Sequence, residues 1–268
     1  MTDPMPVTGR TRLFGIVADP IAHVRTPEAV NAHLAQQGID GILVPFHVAP
    51  ADLPGFFATA RGLRNLAGFV ITVPHKTAAM ELVDRLEAPG RMVGAINTVR
   101  REPDGRLTGT MFDGVGFVEG LKAEGLDPRG RRVCMAGAGG AANAIAFALA
   151  AAGVARLTIA NRTRAKAEAL AERVSASFPG VDVGAGPAVA TGQDMIVNAT
   201  SLGLAPGDAL PFDVSTLTRG AVVAEIIMKP ERTPLLAEAE ARGCRTHYGR
   251  HMLDHQVRLM VGFMNGTS

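Results

Sequence analysis

The chain has 268 residues, 47% of them hydrophobic and 19% charged, and 27 Lys and Arg against 25 Asp and Glu leave a formal charge of +2. At roughly 150 residues per domain this length fits two domains with substantial cores and excludes intrinsic disorder. The near-neutral balance supplies no basic field for nucleic acid or acidic lipid, and a single Tyr with no Trp leaves few platforms for stacking single-stranded bases, so the expected partner is a small molecule, with no nucleic acid and no membrane.

In chain order, residues 13–17 form an apolar run closed by Asp19-Pro20, and residues 28–37 carry helical spacing ended by Gly38, which predicts strand, turn and helix. Residues 42–48 read as strand, 51–61 as helix, 66–73 as a strand stopped by Pro74, and 77–86 as helix before Pro89-Gly90. Such alternation predicts an α/β fold. Between 97 and 110, two short β-prone runs flank Pro103-Asp104-Gly105; Asp-Gly favours a tight hairpin, so an antiparallel edge on a mainly parallel sheet is expected. A helix over 113–124 is where the chain is expected to cross into a second domain. Beyond it the pattern predicts strand 132–136, helix 140–152, strand 156–160, helix 164–177, strands 181–184, 193–197 and 220–226, helix 233–242 and strand 244–247. That is a dinucleotide-binding series. The last helical stretch, 252–264, carries Met252, Leu253, Val257, Leu259, Met260 and Phe263, too many for one narrow stripe, and is expected between two surfaces.

Cys134 and Cys244 lie far apart, without a metal-binding spacing beside them, and read as packing residues. The N-terminal residues lack the apolar core of a signal peptide and no run supplies 18 uninterrupted apolar residues, which points to a cytoplasmic protein.

Gly137-Ala138-Gly139-Gly140-Ala141-Ala142 follows an apolar strand and opens a helix, the context in which G-x-G-x-x-G/A binds a dinucleotide. Gly137 makes the turn, Gly139 admits a pyrophosphate to the backbone, and the free N–H groups of the helix start favour its charge. The bland alternative is a glycine-rich turn that binds nothing. The second strand ends Asn161-Arg162-Thr163-Arg164, without the acid that accepts from the ribose hydroxyls in an NAD site. Asn161 can bond the ribose, Arg162 offers a planar fork to a 2′-phosphate and Thr163 adds a hydroxyl, so NADP(H) is the expected cofactor; the alternative is a solvated, charged helix start.

Lys76 directly follows the strand that Pro74 ends, and Asp113 stands at a predicted helix N-terminus. Separately they read as a surface lysine and an N-cap. Together, facing a nicotinamide, they form a general acid/base pair that moves a hydroxyl proton as hydride leaves carbon.

The stretches Asp19-Pro20-Ile21-Ala22-His23 with Thr26-Pro27, Thr72-Val73-Pro74-His75-Lys76, Gly94-Ala95-Ile96-Asn97-Thr98, Asp113-Gly114-Val115-Gly116, Gly137-Ala138-Gly139-Gly140-Ala141, Asn161-Arg162-Thr163, Asn198-Ala199-Thr200-Ser201-Leu202-Gly203, Thr233-Pro234-Leu235-Leu236 and Met252-Leu253 with Gln256 resemble the shikimate dehydrogenase family over almost the whole chain. The resemblance implies a substrate domain over 1–112 completed by helix 252–268, a Rossmann NADP domain over 113–251, and a deep cleft between them. It implies Lys76 and Asp113 as the catalytic pair, Val24, Thr26, Thr72, Asn97 and Gln256 at the substrate, and Thr200, Met228 and Gly249 at the cofactor beside the glycine loop and Asn161 to Thr163. An NADP(H)-binding sensor on the same fold is the alternative, and a monomer or homodimer is expected.

The departures from the family pattern concern recognition. Members that bind shikimate place two hydroxyl residues in a His-Ser-x-Ser-Pro stretch on its carboxylate, where this chain has His23-Val24-Arg25-Thr26-Pro27; a side-chain amide becomes Val70, and a Tyr becomes Met228. Each hydrogen bond lost to a charged group costs about 1.5–3 kcal/mol, roughly 10- to 100-fold in affinity, so shikimate itself is expected to bind poorly unless Arg25 compensates. His247, His251 and His255 fall at i, i+4, i+8, but no Glu follows His251 as a zinc-hydrolase helix requires, so no metal is expected and the histidines read as a helix entrance.

Overall fold

The computed structural model describes residues 7–22 and 24–266; His23, part of the first family-like stretch, lies outside them. The chain forms two compact units, Met1–Phe112 with Gln256–Ser268, and Asp113–His255.

The first unit contains β1 (Arg12–Ala18), α1 (Thr26–Gln36), β2 (Gly41–His47), α2 (Leu53–Gly62), β3 (Leu66–Ile71), β4 (Arg85–Leu86), α3 (Ala88–Val93), β5 (Thr98–Arg101) and β6 (Leu107–Thr110). The sheet runs β2-β1-β3-β5-β6-β4. β1 pairs parallel with β2 and β3, whereas β5 lies antiparallel to both β3 and β6. Every residue of β3, Leu-Ala-Gly-Phe-Val-Ile, is buried, as a central strand covered on both faces requires. Phe57 and Phe69 meet edge to face at 5.1 Å, and Phe56 packs on Phe69 at the same distance, anchoring a core that includes Val17, Leu53, Ile71, Ile96 and Val99.

Three expectations need correction here. The stretch 77–86 is not one helix: it forms a short 3-10 turn over Ala78–Leu82 and then β4, which pairs parallel with β6. The hairpin strands are therefore not the sheet edge, because β4 covers β6. Pro89 does not terminate a helix but begins one, standing in the first turn of α3, where a missing N–H costs nothing.

The second unit contains α4 (Asp113–Ala123), β7 (Arg132–Ala136), α5 (Gly140–Ala151), β8 (Arg156–Ala160), α6 (Arg164–Ser177), β9 (Asp182–Ala185), β10 (Met195–Asn198), β11 (Val222–Glu225), α7 (Pro234–Ala241), β12 (Arg245–His247) and the start of α8 (Gly249–Asn265). Its sheet is all parallel in the order β12-β11-β10-β7-β8-β9. The strand order reverses between β7 and β10, the point where doubly wound sheets bind their ligands. α8 begins at Gly249 and rejoins the first unit at Gln256, not at 252. Its distal half lies against the first sheet: Phe263 meets Phe112 edge to face at 5.8 Å and lies under Arg100 at 4.6 Å, and Arg12 donates to Asn265 at 2.7 Å. Both cysteines are free thiols, and Cys134 is buried.

Candidate active site

β3 delivers the segment that carries Lys76. Its ladder continues one residue past the strand, with Thr72 N–H donating to Val17 O at 3.1 Å, and the chain then turns so that His75 N–H donates to Thr72 O at 2.9 Å. The buried His75 ring bonds Val48 O at 2.9 Å, which spends it on tying this turn to the end of β2. Lys76, half-buried, accepts at its carbonyl from Ile96 N–H at 2.9 Å. That bond brings Asn97 alongside. Asn97 Oδ1 accepts from Thr98 Oγ1 and from Phe112 N–H, both at 3.0 Å, and the next residue is Asp113, 3% exposed. Asp113 is the first residue of α4 and not a flanking cap. Sequence-remote segments thus bring Lys76, Asn97 and the entry to Asp113 into one hydrogen-bonded assembly.

Four further predicted substrate residues lie in the same unit. Thr72 is half-buried beyond β3, Thr26 is buried as the first residue of α1, Gln256 is buried on α8, and Val24 is half-buried just before α1. Val70 is buried in β3. Arg25, the one cation considered for an anion site, is exposed and pairs with Glu28 at 3.8 Å.

On the second unit, Gly137 follows β7 with φ of 122°, and a Cβ there would stand 2.4 Å from Ala199 O. Only glycine meets both demands. A Cβ on Gly139 would meet nothing within 4 Å, and no side chain caps the N-terminus of α5. Ala138, Gly140 and Ala141 are half-buried around that turn, and Ala142 is fully buried. Asn161 donates to Thr163 O at 2.9 Å, shaping the turn after β8, and Arg162 and Thr163 are exposed there. Open backbone at a helix start, a cationic fork at the end of the second strand and no acid beside it fit NADP(H). Gly249 lies against the segment after β11, where an added Cβ would be 2.4 Å from Ile227 O, just before the exposed Met228. Thr200 donates to Asn198 Oδ1 at 2.7 Å and accepts from Leu202 N–H at 3.0 Å.

Sequence reasoning missed Glu225. It ends β11, is fully buried and accepts from Asn198, Ile226, Ile227 and Thr233. The available signal was a carboxylate closing the apolar run Val-Val-Ala-Glu, because a buried charge must be matched by donors. Burial raises its pKa, and the donors from Asn198, Ile227, Ile226 and Thr233 pull against that rise.

The description "Shikimate dehydrogenase substrate binding domain" matches residues 16–99, and "Shikimate / quinate 5-dehydrogenase" matches residues 122–203. A shikimate dehydrogenase (NADP(+)) of Geobacter metallireducens is 40% identical over 98% of this chain and 94% of its own. The chain belongs to the shikimate dehydrogenase family. A shikimate dehydrogenase solved in complex with NADP+ superposes with a TM-score of 0.90 at 32% identity, over 97% of this chain and 92% of that one. A 5-ketofructose reductase of Gluconobacter sp. strain CHM43 superposes with a TM-score of 0.86 at 35% identity, over 97% and 94%. This shikimate dehydrogenase family member is an NADP-dependent oxidoreductase acting on a CH–OH group. No helix among the described residues is long and apolar enough to cross a membrane.

Proposed function

We propose that Lys76 and Asp113 are the proton-handling pair of this dehydrogenase, that Thr72, Asn97 and Gln256 hold substrate hydroxyls with Val24 and Thr26 lining the same site, and that the first unit binds substrate while the second binds NADP(H). The observation that carries this reading is the bond from Ile96 to Lys76 together with that from Phe112 to Asn97. They hold the backbone of Lys76, the Asn97 amide and the chain at Phe112 together within the first unit. NADP(H), when bound, supplies or accepts the hydride. The Lys76 ammonium gives its proton to the oxygen of a carbonyl being reduced, or in the reverse direction its amine takes the hydroxyl proton. The Asp113 carboxylate accepts from a neighbouring substrate hydroxyl. Asn97, with its oxygen engaged by Thr98 and Phe112, holds a substrate hydroxyl through its amide. On the second unit, Gly137 to Ala141 would take the pyrophosphate, Asn161, Arg162 and Thr163 the ribose and its 2′-phosphate, and Thr200, Met228 and Gly249 the nicotinamide half.

The finer reading is an uncharged polyhydroxy ketone or its alcohol, with shikimate a poor substrate. Val24 and Val70 offer no donors to a carboxylate, and Arg25 is turned to Glu28. The 5-ketofructose reductase relative is named for a substrate without a carboxylate. The test is turnover by the purified protein with NADP(H) against shikimate, quinate, 5-ketofructose and uncharged cyclic and acyclic polyols or their ketones. An uncharged compound is expected to exceed shikimate in kcat/KM by about tenfold or more, the equivalent of one lost charged hydrogen bond. Shikimate as the best substrate would overturn the finer reading and leave the dehydrogenase assignment standing.

A further inference from the structure

The buried carboxylate of Glu225 has no part in the proton transfer, yet it joins the two loops assigned above to the nicotinamide half of the cofactor. Its Oε1 accepts from Ile226 N–H at 2.9 Å and Ile227 N–H at 3.1 Å, bending the backbone that leads to Met228. Its Oε2 accepts from Asn198 Nδ2 at 3.0 Å and Thr233 Oγ1 at 3.1 Å. Glu225, Asn198 and Thr233 are each 0% exposed. Four donors match the four acceptor sites of a carboxylate, so the group is buried without an unmet lone pair.

Asn198 turns that arrangement into a switch of amide orientation. Its nitrogen gives its hydrogens to Glu225 and to Leu202 O, the latter at 2.9 Å, which leaves Oδ1 to accept from Thr200 N–H at 3.1 Å and from Thr200 Oγ1 at 2.7 Å. Only this orientation satisfies all four contacts. If the residue facing Asn198 became a donor, the amide would have to reverse, setting its oxygen against Leu202 O and its nitrogen against Thr200 N–H.

We propose that Glu225 is a positioning residue that, through Asn198, sets Thr200 and, through the Ile226 and Ile227 amides, sets the approach to Met228, so that it governs how the nicotinamide half of NADP(H) is held. This rests on the assignment of Thr200 and Met228 to the cofactor.

The test compares wild type with Glu225→Gln, which keeps the size of the side chain and replaces one acceptor oxygen by a donor. Affinity is read for NADPH by the fluorescence of the bound cofactor and for 2′,5′-ADP, a fragment without nicotinamide, by calorimetry. The expected result is about a tenfold or greater loss for NADPH, the scale of one buried group left unsatisfied, and a fall in kcat, with 2′,5′-ADP bound within about twofold of wild type. Equal losses for both ligands would show a merely structural role and overturn the proposal, as would an unchanged NADPH affinity and kcat. Wild type that binds 2′,5′-ADP but gains nothing from the nicotinamide half would overturn the cofactor assignment instead, and the proposal with it. Should Glu225→Gln not fold, Glu225→Asp carries the same comparison. It keeps the charge and withdraws it by one methylene, and a smaller loss confined to NADPH is expected; no such loss would overturn the proposal.

Discussion

A lysine and an aspartate become an acid/base pair only when the backbone fixes where each one starts. Here the carbonyl of Lys76 is held by Ile96, and Asp113 follows the residue whose amide is held by Asn97. Lys76→Ala and Asp113→Asn are each expected to lower turnover by about 10²- to 10⁴-fold, the usual worth of general acid/base catalysis, with NADPH affinity within about threefold of wild type. Steady-state kinetics and a cofactor fluorescence titration check this, and undiminished turnover in either variant refutes its role. The sequence singles out both candidates because each stands beside a local signal, a strand end at Pro74 and a helix start at Asp113. It does not single out Glu225, because its donors come from β10, from the turn after β11 and from the cap of α7. No local pattern announces such a convergence.

Among the elements, β12, α4 and α8 meet at His247. It ends β12, as the strand expected over 244–247 has it, but it is fully buried and not part of an exposed helix entrance, edge-on to Phe117 of α4 at 5.7 Å and stacked on His251 of α8 at 5.0 Å. Neither of its ring nitrogens has a hydrogen-bond partner among the described residues. Burial first, then the like charges of His251 and His255, push its pKa from 6.5 down to about 4. Glu124 pairs with His251 at 3.8 Å. A histidine with a lowered folded-state pKa takes up a proton on unfolding, so its neutral packing contributes fully above pH 6.5 and is lost as pH falls from 6.5 towards 4. In that window the unfolding free energy is expected to drop by up to about 1.4 kcal/mol per pH unit from this group alone. His247→Phe, followed by denaturant unfolding across the same range, is expected to flatten that slope; an unchanged slope sinks the assignment. The other misread elements have equally local causes. The stretch 77–86 has helical spacing, but Arg85 and Leu86 gain ladder bonds to β6, and a proline at the first turn begins α3 where the sequence suggested an end.

The whole molecule consists of two units, each with its own six-stranded sheet. The second contains every residue assigned above to the cofactor, whereas Lys76 and the residues assigned above to the substrate, Val24, Thr26, Thr72, Asn97 and Gln256, belong to the first. A domain with its own core folds alone in principle. The fragment 113–255 is therefore expected to bind NADPH within about tenfold of the full chain while catalysing no turnover, by fluorescence titration and activity assay. A fragment that folds yet does not bind NADPH would refute the division of labour.

By itself the sequence determined the alternation of strands and helices, the glycine turn and the preference for NADP(H), because these follow from side-chain periodicity, backbone sterics and charge within a few consecutive residues. It also carried the replacement of donors by Val24, Val70 and Met228. Only the tertiary structure decided that β4 caps the first sheet, that the second sheet reverses its order between β7 and β10, that Arg25 turns to Glu28, and that Glu225 and His247 are buried. Those outcomes depend on which distant groups satisfy one another's hydrogen bonds and exclude water. That competition is settled among all parts of the chain at once, not along any one stretch of it.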